Sequence, residues 1–310
     1  MDRPPLSLPS RPRDVHKGLC GRVSLVGGSR GMAGSISLSA IAALHTGAGL
    51  VRAVVPDAIL ETVAGSHPAI MTTPLPCTAD GCLAPDAEPA LTTALQLQDA
   101  IGCGPGMTTG PGSVVVTQHI WQSSLACVFD ADALNVIAEQ NWLSRPASRS
   151  TGTAFQARSA PTILTPHPGE LQRLTGVPAD APELQRSAAK ELAQAWNVVV
   201  VLKGGPTVVV GKAQADAGDV QEWTNTTGNP GMATAGMGDL LTGILATLLA
   251  QGLGAWDAAR LGVWLHGLAG DTVAERLSQR GMTAFHVVHC LPEVADSVEE
   301  QDHRGTLGFR

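Results

Sequence analysis

Short runs of consecutive apolar, mostly β-branched residues recur along this chain with helix-length gaps between them, and that rhythm constrains the fold more than any single motif. Val23-Ser24-Leu25-Val26, residues 50–55, Cys127-Val128-Phe129, Thr162-Ile163-Leu164, residues 198–202 and residues 207–210 are apolar on both faces of a strand, the pattern of a sheet covered on both sides. Residues 35–45, 182–196, 239–250 and 255–277 are instead rich in alanine and leucine, which favour helix. The alternation predicts an α/β fold, a mostly parallel sheet with helices on both faces. Tyrosine is absent and aromatic residues make up 3%, so Val, Leu, Ile and Ala must fill the core.

A chain of 310 residues, 44% hydrophobic and 15% charged, can bury a large core as one big α/β domain or two ordinary ones. The net charge is −7 with no long basic block, which excludes the electrostatic footprint of a nucleic-acid binder. The six cysteines are scattered without a CxxC pair, so neither a disulfide framework nor a zinc site is expected, and the default is reduced thiols in a cytoplasm. The N-terminus has charge and proline but no apolar core of a secretory signal, and no apolar run approaches the roughly 20 residues that cross a bilayer. Residues 1–15 read as a flexible arm, 141–161 as a low-hydrophobicity stretch long enough for a mobile loop, and 299–310 as a polar tail that frays. That leaves 16–298 as the folded domain.

Six segments could carry chemistry. GGSRGMAGS (27–35) follows the first strand and enters a helix, as a phosphate cradle or as a plain tight turn; it lacks the ending of a P-loop. IGCGPGM (101–107) would place bare backbone at the C-terminal edge of the sheet. In LTPHPGE (164–170), His167 and Glu170 could ligate a metal, position a substrate or cap a turn. VVLKGGPT (200–207) ends a strand on Lys203, which either meets an anion or carboxylate or reaches solvent, and its glycines permit close approach of a nucleotide. In VFDADAL (128–134), Asp132 reads as a helix cap and Asp130 stays open between capping and magnesium.

The sixth segment is NTTGNPGMATAGMGDLLTGI (225–244), a glycine-dense turn, one carboxylate and an apolar helix in a single run. Amides of Gly236, Met237 and Gly238 at a helix start can form an anion hole, and Asp239 beside them can act as an acid-base group; a carboxylate there also complements the helix dipole with no other role. His286, His289 and Cys290 sit close together but read as decoration of an element near the C-terminus rather than a zinc site.

His16-Lys17-Gly18, GGSRGMAGS, LTPHPGE, VVLKGGPT and the 225–244 segment, in that order, resemble the ADP-dependent NAD(P)H-hydrate dehydratase family of the ribokinase-like superfamily. The resemblance implies a three-layer α-β-α ribokinase-like fold and ADP-dependent dehydration of the S epimer of hydrated NADH and NADPH (NADHX and NADPHX), with release of AMP and phosphate. It implies that Lys203, Gly204, Gly205, Pro206, Thr207 and Gly238 bind ADP and that Ser35, Gly106, His167 and Asp239 bind the hydrated dinucleotide. It further implies Asp239 as the catalytic base, Glu170 as a holder of Mg2+, and a homo-oligomer, a homotetramer. The sequence departs from the family at Met237, where a hydroxyl residue is common, and at Phe285-His286, where an acidic residue is common. Some members carry an N-terminal epimerase domain, for which the residues before His16 leave no room. The competing expectations are a ribokinase-like small-molecule kinase of the hydroxyethylthiazole or sugar type, and a nucleotide-binding regulator without catalysis.

Overall fold

β1 (Arg22–Val26) lies inside a sheet that grows outward from it in both directions. In the computed structural model, which describes residues 3–9, 11–143, 156–213 and 218–306 (297 and 299–306 as backbone alone), β2 (Leu50–Pro56) and β3 (Ile70–Leu75) extend one side. The other side runs through β4 (Ala100–Cys103), β5 (Ala126–Phe129), β6 (Thr162–Leu164), β7 (Val199–Leu202), β8 (Val208–Gly211) and β9 (Gln221–Thr224). The order is 3-2-1-4-5-6-7-8-9, parallel from β3 to β7, with β8 and β9 antiparallel. Chain direction across the sheet reverses between β1 and β4, and such a switch point opens a crevice at the C-terminal strand ends.

Strand residues alternate between two apolar layers, as the run-and-gap pattern requires. Leu25, Ala53, Val128, Ile163, Val199 and Val201 face one cluster, shared with α1 (Ala33–His45), α8 (Met237–Ala250), α9 (Ala255–Arg276) and α10 (Ala284–Thr306). Val26, Cys103, Phe129, Leu164, Val200 and Leu202 face the other, built with α3 (Glu88–Ala94), α4 (Pro111–Gln122), α5 (Ala131–Glu139) and α7 (Pro182–Trp196). The short α2 (Leu60–Ala64) and α6 (Pro168–Thr175) complete the layers. α1 and α8 touch backbone to backbone: a Cβ on Gly243 would lie 2.0 Å from the Ser39 carbonyl oxygen, so only glycine fits that crossing.

Both sheet margins carry residues hostile to further pairing. β3 contains Pro74, which has no N–H to donate, and β9 exposes Gln221 and Glu222, the latter paired with Arg186 (3.1 Å) and Lys190 (2.8 Å) of α7.

Three expectations are amended. The N-terminal arm is not free of the molecule: Leu6 and Leu8 pack against the core and Arg11 donates to the Gly47 carbonyl. The polar tail continues α10 as helix through Thr306, the rest lying outside the described residues. Of the 141–161 stretch, residues 144–155 lie outside the described residues, while Arg158 is buried, its guanidinium donating to carbonyls of Ile120, Trp121 and Leu125. Among the described residues no helix is long and apolar enough to cross a membrane.

Candidate active site at the carboxyl ends of the strands

Five loops leave the parallel strands at one end of the sheet and converge on the first turn of α8. Gly236 caps that helix at φ +89°, a left-handed conformation, and a Cβ there would meet Leu38 Cδ1 at 2.6 Å. Asp239 follows in the first turn, its backbone carbonyl receiving the Ser39 hydroxyl (2.8 Å) and its carboxylate the hydrogen bond of Ser35. Gly106, at φ +63°, packs against the same turn of α1, where an added Cβ would sit 3.2 Å from Ser35 Cβ. Ser35, Gly106 and Asp239, 204 residues apart from first to last in sequence, are thus neighbours.

Burial pushes the Asp239 carboxyl up to about 6, with the nearby Asp130 carboxylate adding to the rise and the Ser35 hydrogen bond and Lys203 opposing it. A carboxyl so placed is half ionised near pH 6 and mostly ionised at pH 7, which suits a group that must accept and return a proton.

Beside it runs a chain of charged groups. Lys203, at the end of β7, donates to Asp130 Oδ1 (2.7 Å) and lies 3.5 Å from Glu170 Oε2. Burial pulls its ammonium down, but the two carboxylates outweigh burial and leave the pKa raised, so lysine stays charged. Asp130 is 1% exposed and also accepts the hydroxyls of Thr165 (2.7 Å) and Thr242 (2.8 Å). It therefore ties β5, β6, β7 and α8 together. Thr242 is one turn along from Asp239, and a Cβ on Gly238 would stand 3.5 Å from Lys203 Nζ.

Of the three options for His167, the helix cap is seen in the structure. Its Nδ1 accepts from the amides of Gly169 and Glu170 at the start of α6, while Glu170 Oε2 accepts from the His167 amide (2.8 Å) in a reciprocal capping box. The ring is 48% exposed, free to meet a ligand, and it joins the constellation through Glu170 and Lys203. Asp132 does not cap α5, contrary to expectation; it sits within the first turn and accepts the Thr108 amide (2.8 Å), fixing the loop after β4. His286 and His289 decorate α10, the His289 ring meeting His45 edge-on and packing tilted against Phe285.

On the other side of α8 lies a cleft of ≈ 730 Å³. Its floor and rim include Lys203, Gly204, Gly205, Pro206, Thr207, Met237 and Gly238, so every residue expected to bind nucleotide lines one cavity. The far wall is the loop before α8, held to α9 by Asp271, which accepts from the Gly228 amide (2.8 Å) and Asn229 Nδ2 (2.9 Å). Met237, Gly238 and Lys203 line this space at one end, a helix start beside an ammonium and so an arrangement suited to phosphate, while Gly236 of the expected anion hole is not among the lining residues. The side chain of Met237 is 6% exposed, so the turn offers backbone donors in place of a hydroxyl.

Sequence reasoning left Asp130 undecided and did not single out Thr165, Thr242 or His266, another cleft residue. The signal for Asp130 was its place after an apolar strand; its partners lie 35, 73 and 112 residues away. For magnesium, the donors at this edge are Asp130, Glu170 and Asp239, hard carboxylate oxygens of the class the ion takes. Among the described residues no three His, Cys, Asp or Glu converge on one point. That donor set fits an ion brought in on nucleotide phosphates, which keeps its waters and borrows one carboxylate.

Residues 23–293 match the family model described as NAD(P)H-hydrate dehydratase. The chain is 43% identical over 296 residues to a bifunctional NAD(P)H-hydrate repair enzyme of Moorella thermoacetica, covering 95% of this chain and 53% of that protein. It spans about half the length of the curated bifunctional relatives it matches. It is 36% identical over 275 residues to the ADP-dependent (S)-NAD(P)H-hydrate dehydratase of Neisseria meningitidis, covering 86% of this chain and 81% of that one. The ADP/ATP-dependent NAD(P)H-hydrate dehydratase of Bacillus subtilis, co-crystallised with ATP and Mg2+, superposes with a TM-score of 0.74 at 29% identity, over 94% of this chain and 95% of that chain. The architecture is the ribokinase-like one.

Proposed function

Because the chain belongs to the NAD(P)H-hydrate dehydratase family, we propose that it dehydrates the S epimer of hydrated NADH and NADPH at the expense of ADP, releasing the repaired dinucleotide, AMP and phosphate. The observation that carries this reading is the placement of Asp239. Its carboxyl, raised to about 6, accepts a hydrogen bond from Ser35 beside Gly106 and directly follows Gly238, which lines the cleft together with Lys203.

The hydrated nicotinamide ring bears a hydroxyl, a poor leaving group. In the proposed reaction this hydroxyl oxygen attacks the β-phosphorus of ADP, its proton passes to Asp239, and the bond to the bridging oxygen breaks so that AMP leaves. The phosphate ester then departs with the electron pair of its carbon–oxygen bond as the adjacent ring carbon loses a proton, restoring the ring double bond. Amides of Gly236, Met237 and Gly238 receive the charge that builds on the transferred group, and Lys203 adds a fixed positive charge beside them. Magnesium, when bound, would be held by Glu170 together with the phosphates, and it neutralises charge on the nucleotide. Ser35 and Gly106 border the dinucleotide, the latter by backbone, and His167 offers its half-exposed ring to the same substrate.

The experiment is absorbance at 340 nm after adding the protein, magnesium and either ADP or ATP to hydrated NADH. Growth of absorbance with ADP supports the reading. A stable phosphorylated product without a rise at 340 nm would move it to a small-molecule kinase on the same fold.

A further inference from the structure

One cleft residue takes no part in the chemistry above. His266 lies in the middle of α9, lines the cleft, and has its Nε2 buried without a hydrogen-bond partner. A buried ring nitrogen left so costs on the order of 1–3 kcal/mol, a cost that a bound molecule can relieve. Burial, and then the Lys203 ammonium nearby, push the His266 imidazole down to about 4, so it is neutral at pH 7.

A neutral imidazole does little for a phosphate, and the phosphate-holding groups already cluster around Lys203 and Gly238. What it does well is exchange a hydrogen bond with an uncharged polar group such as a ribose hydroxyl or a purine edge. We propose that His266 Nε2 hydrogen-bonds the nucleoside part of the nucleotide in this cleft, making it a residue that selects a nucleoside diphosphate over bare diphosphate. The inference rests on the reading of the cleft as the nucleotide site.

Calorimetric titration of the unmodified protein, His266→Leu and His266→Gln with ADP and with inorganic pyrophosphate, magnesium present throughout, tests it. The expected result is an ADP Kd raised about tenfold in His266→Leu, within about threefold in His266→Gln, and a pyrophosphate Kd equal in all three. Unchanged ADP affinity in His266→Leu, or an equal loss for both ligands, overturns the proposal. A measurement that needs no leucine variant is the Nε2 nitrogen resonance of His266 in the unmodified protein, which shifts with ADP and stays in place with pyrophosphate; a resonance indifferent to ADP also overturns it. Failure of the unmodified protein to bind ADP at all would instead overturn the nucleotide assignment of the cleft, and this inference with it.

Discussion

At Asp239 the needs of folding and of chemistry conflict, and the conflict is measurable. Its carboxyl is raised from 3.8 to about 6, so the folded protein keeps a proton that the unfolded chain releases between those values. Its contribution to stability therefore falls as pH rises from about 4 to 6 and stays at the lower level above. Asp239→Asn removes the charge from this buried position, and we expect it to stabilise the protein at pH 7.5 by on the order of 1–3 kcal/mol in urea unfolding, with the gain fading near pH 4. The same variant should lose about 10²–10⁴-fold in turnover while binding ADP as before. Undiminished turnover would remove Asp239 from the mechanism. In the unmodified enzyme, kcat/KM should rise about tenfold per pH unit below pH 6 and level off above it, tracking ionisation of the base. Asp239 was legible in the sequence because a carboxylate directly after a glycine turn and before an apolar helix is a local pattern. Asp130 and His266 were not, since what distinguishes them is a set of distant partners in one case and a missing partner in the other.

The element on which the site depends is α8, and its geometry is set by two glycines. Gly236 holds the left-handed turn that starts α8, and Gly243 lets α8 lie against α1, the helix that brings Ser35 and Ser39 to Asp239. Gly236→Ala should cost about 1–2 kcal/mol for the backbone conformation alone and weaken ADP binding as the turn relaxes, both readable from urea midpoints and titration calorimetry. Gly243→Ala, which forces a methyl against the Ser39 carbonyl, should cost about 1–3 kcal/mol and lower turnover with little change in ADP affinity, because α1 borders the dinucleotide side. Many elements with β-branched or alanine-leucine runs were readable from the sequence to within a few residues, although β3 and α4 were not singled out. β9 was not: its Gln-Glu-Trp-Thr has no apolar run, because a margin strand buries little. α10 was also hidden, its pattern interrupted by Pro292.

Across the whole molecule, the doubly covered sheet was legible from apolar runs alone, whereas the position of the active centre depended on which strand ends the topology brings together. Asp130 is where that topology is fastened, since one buried carboxylate joins three strands and α8. Asp130→Ala leaves the Lys203 ammonium with Glu170 alone and should cost about 3–5 kcal/mol in urea unfolding; a loss under about 1 kcal/mol would show that the junction is not structural. The sheet margins have a consequence of a different kind. Strand addition is the commonest way for β-rich chains to aggregate, and it needs a run of unpaired N–H and C=O groups on an accommodating edge. Pro74 interrupts that run on one side, and the charges of Glu222, Arg186 and Lys190 crowd it on the other. Copies of this chain therefore meet an obstacle to fibre-like growth at either end of the sheet, and an ordered assembly has to be built from the helical layers and loops instead.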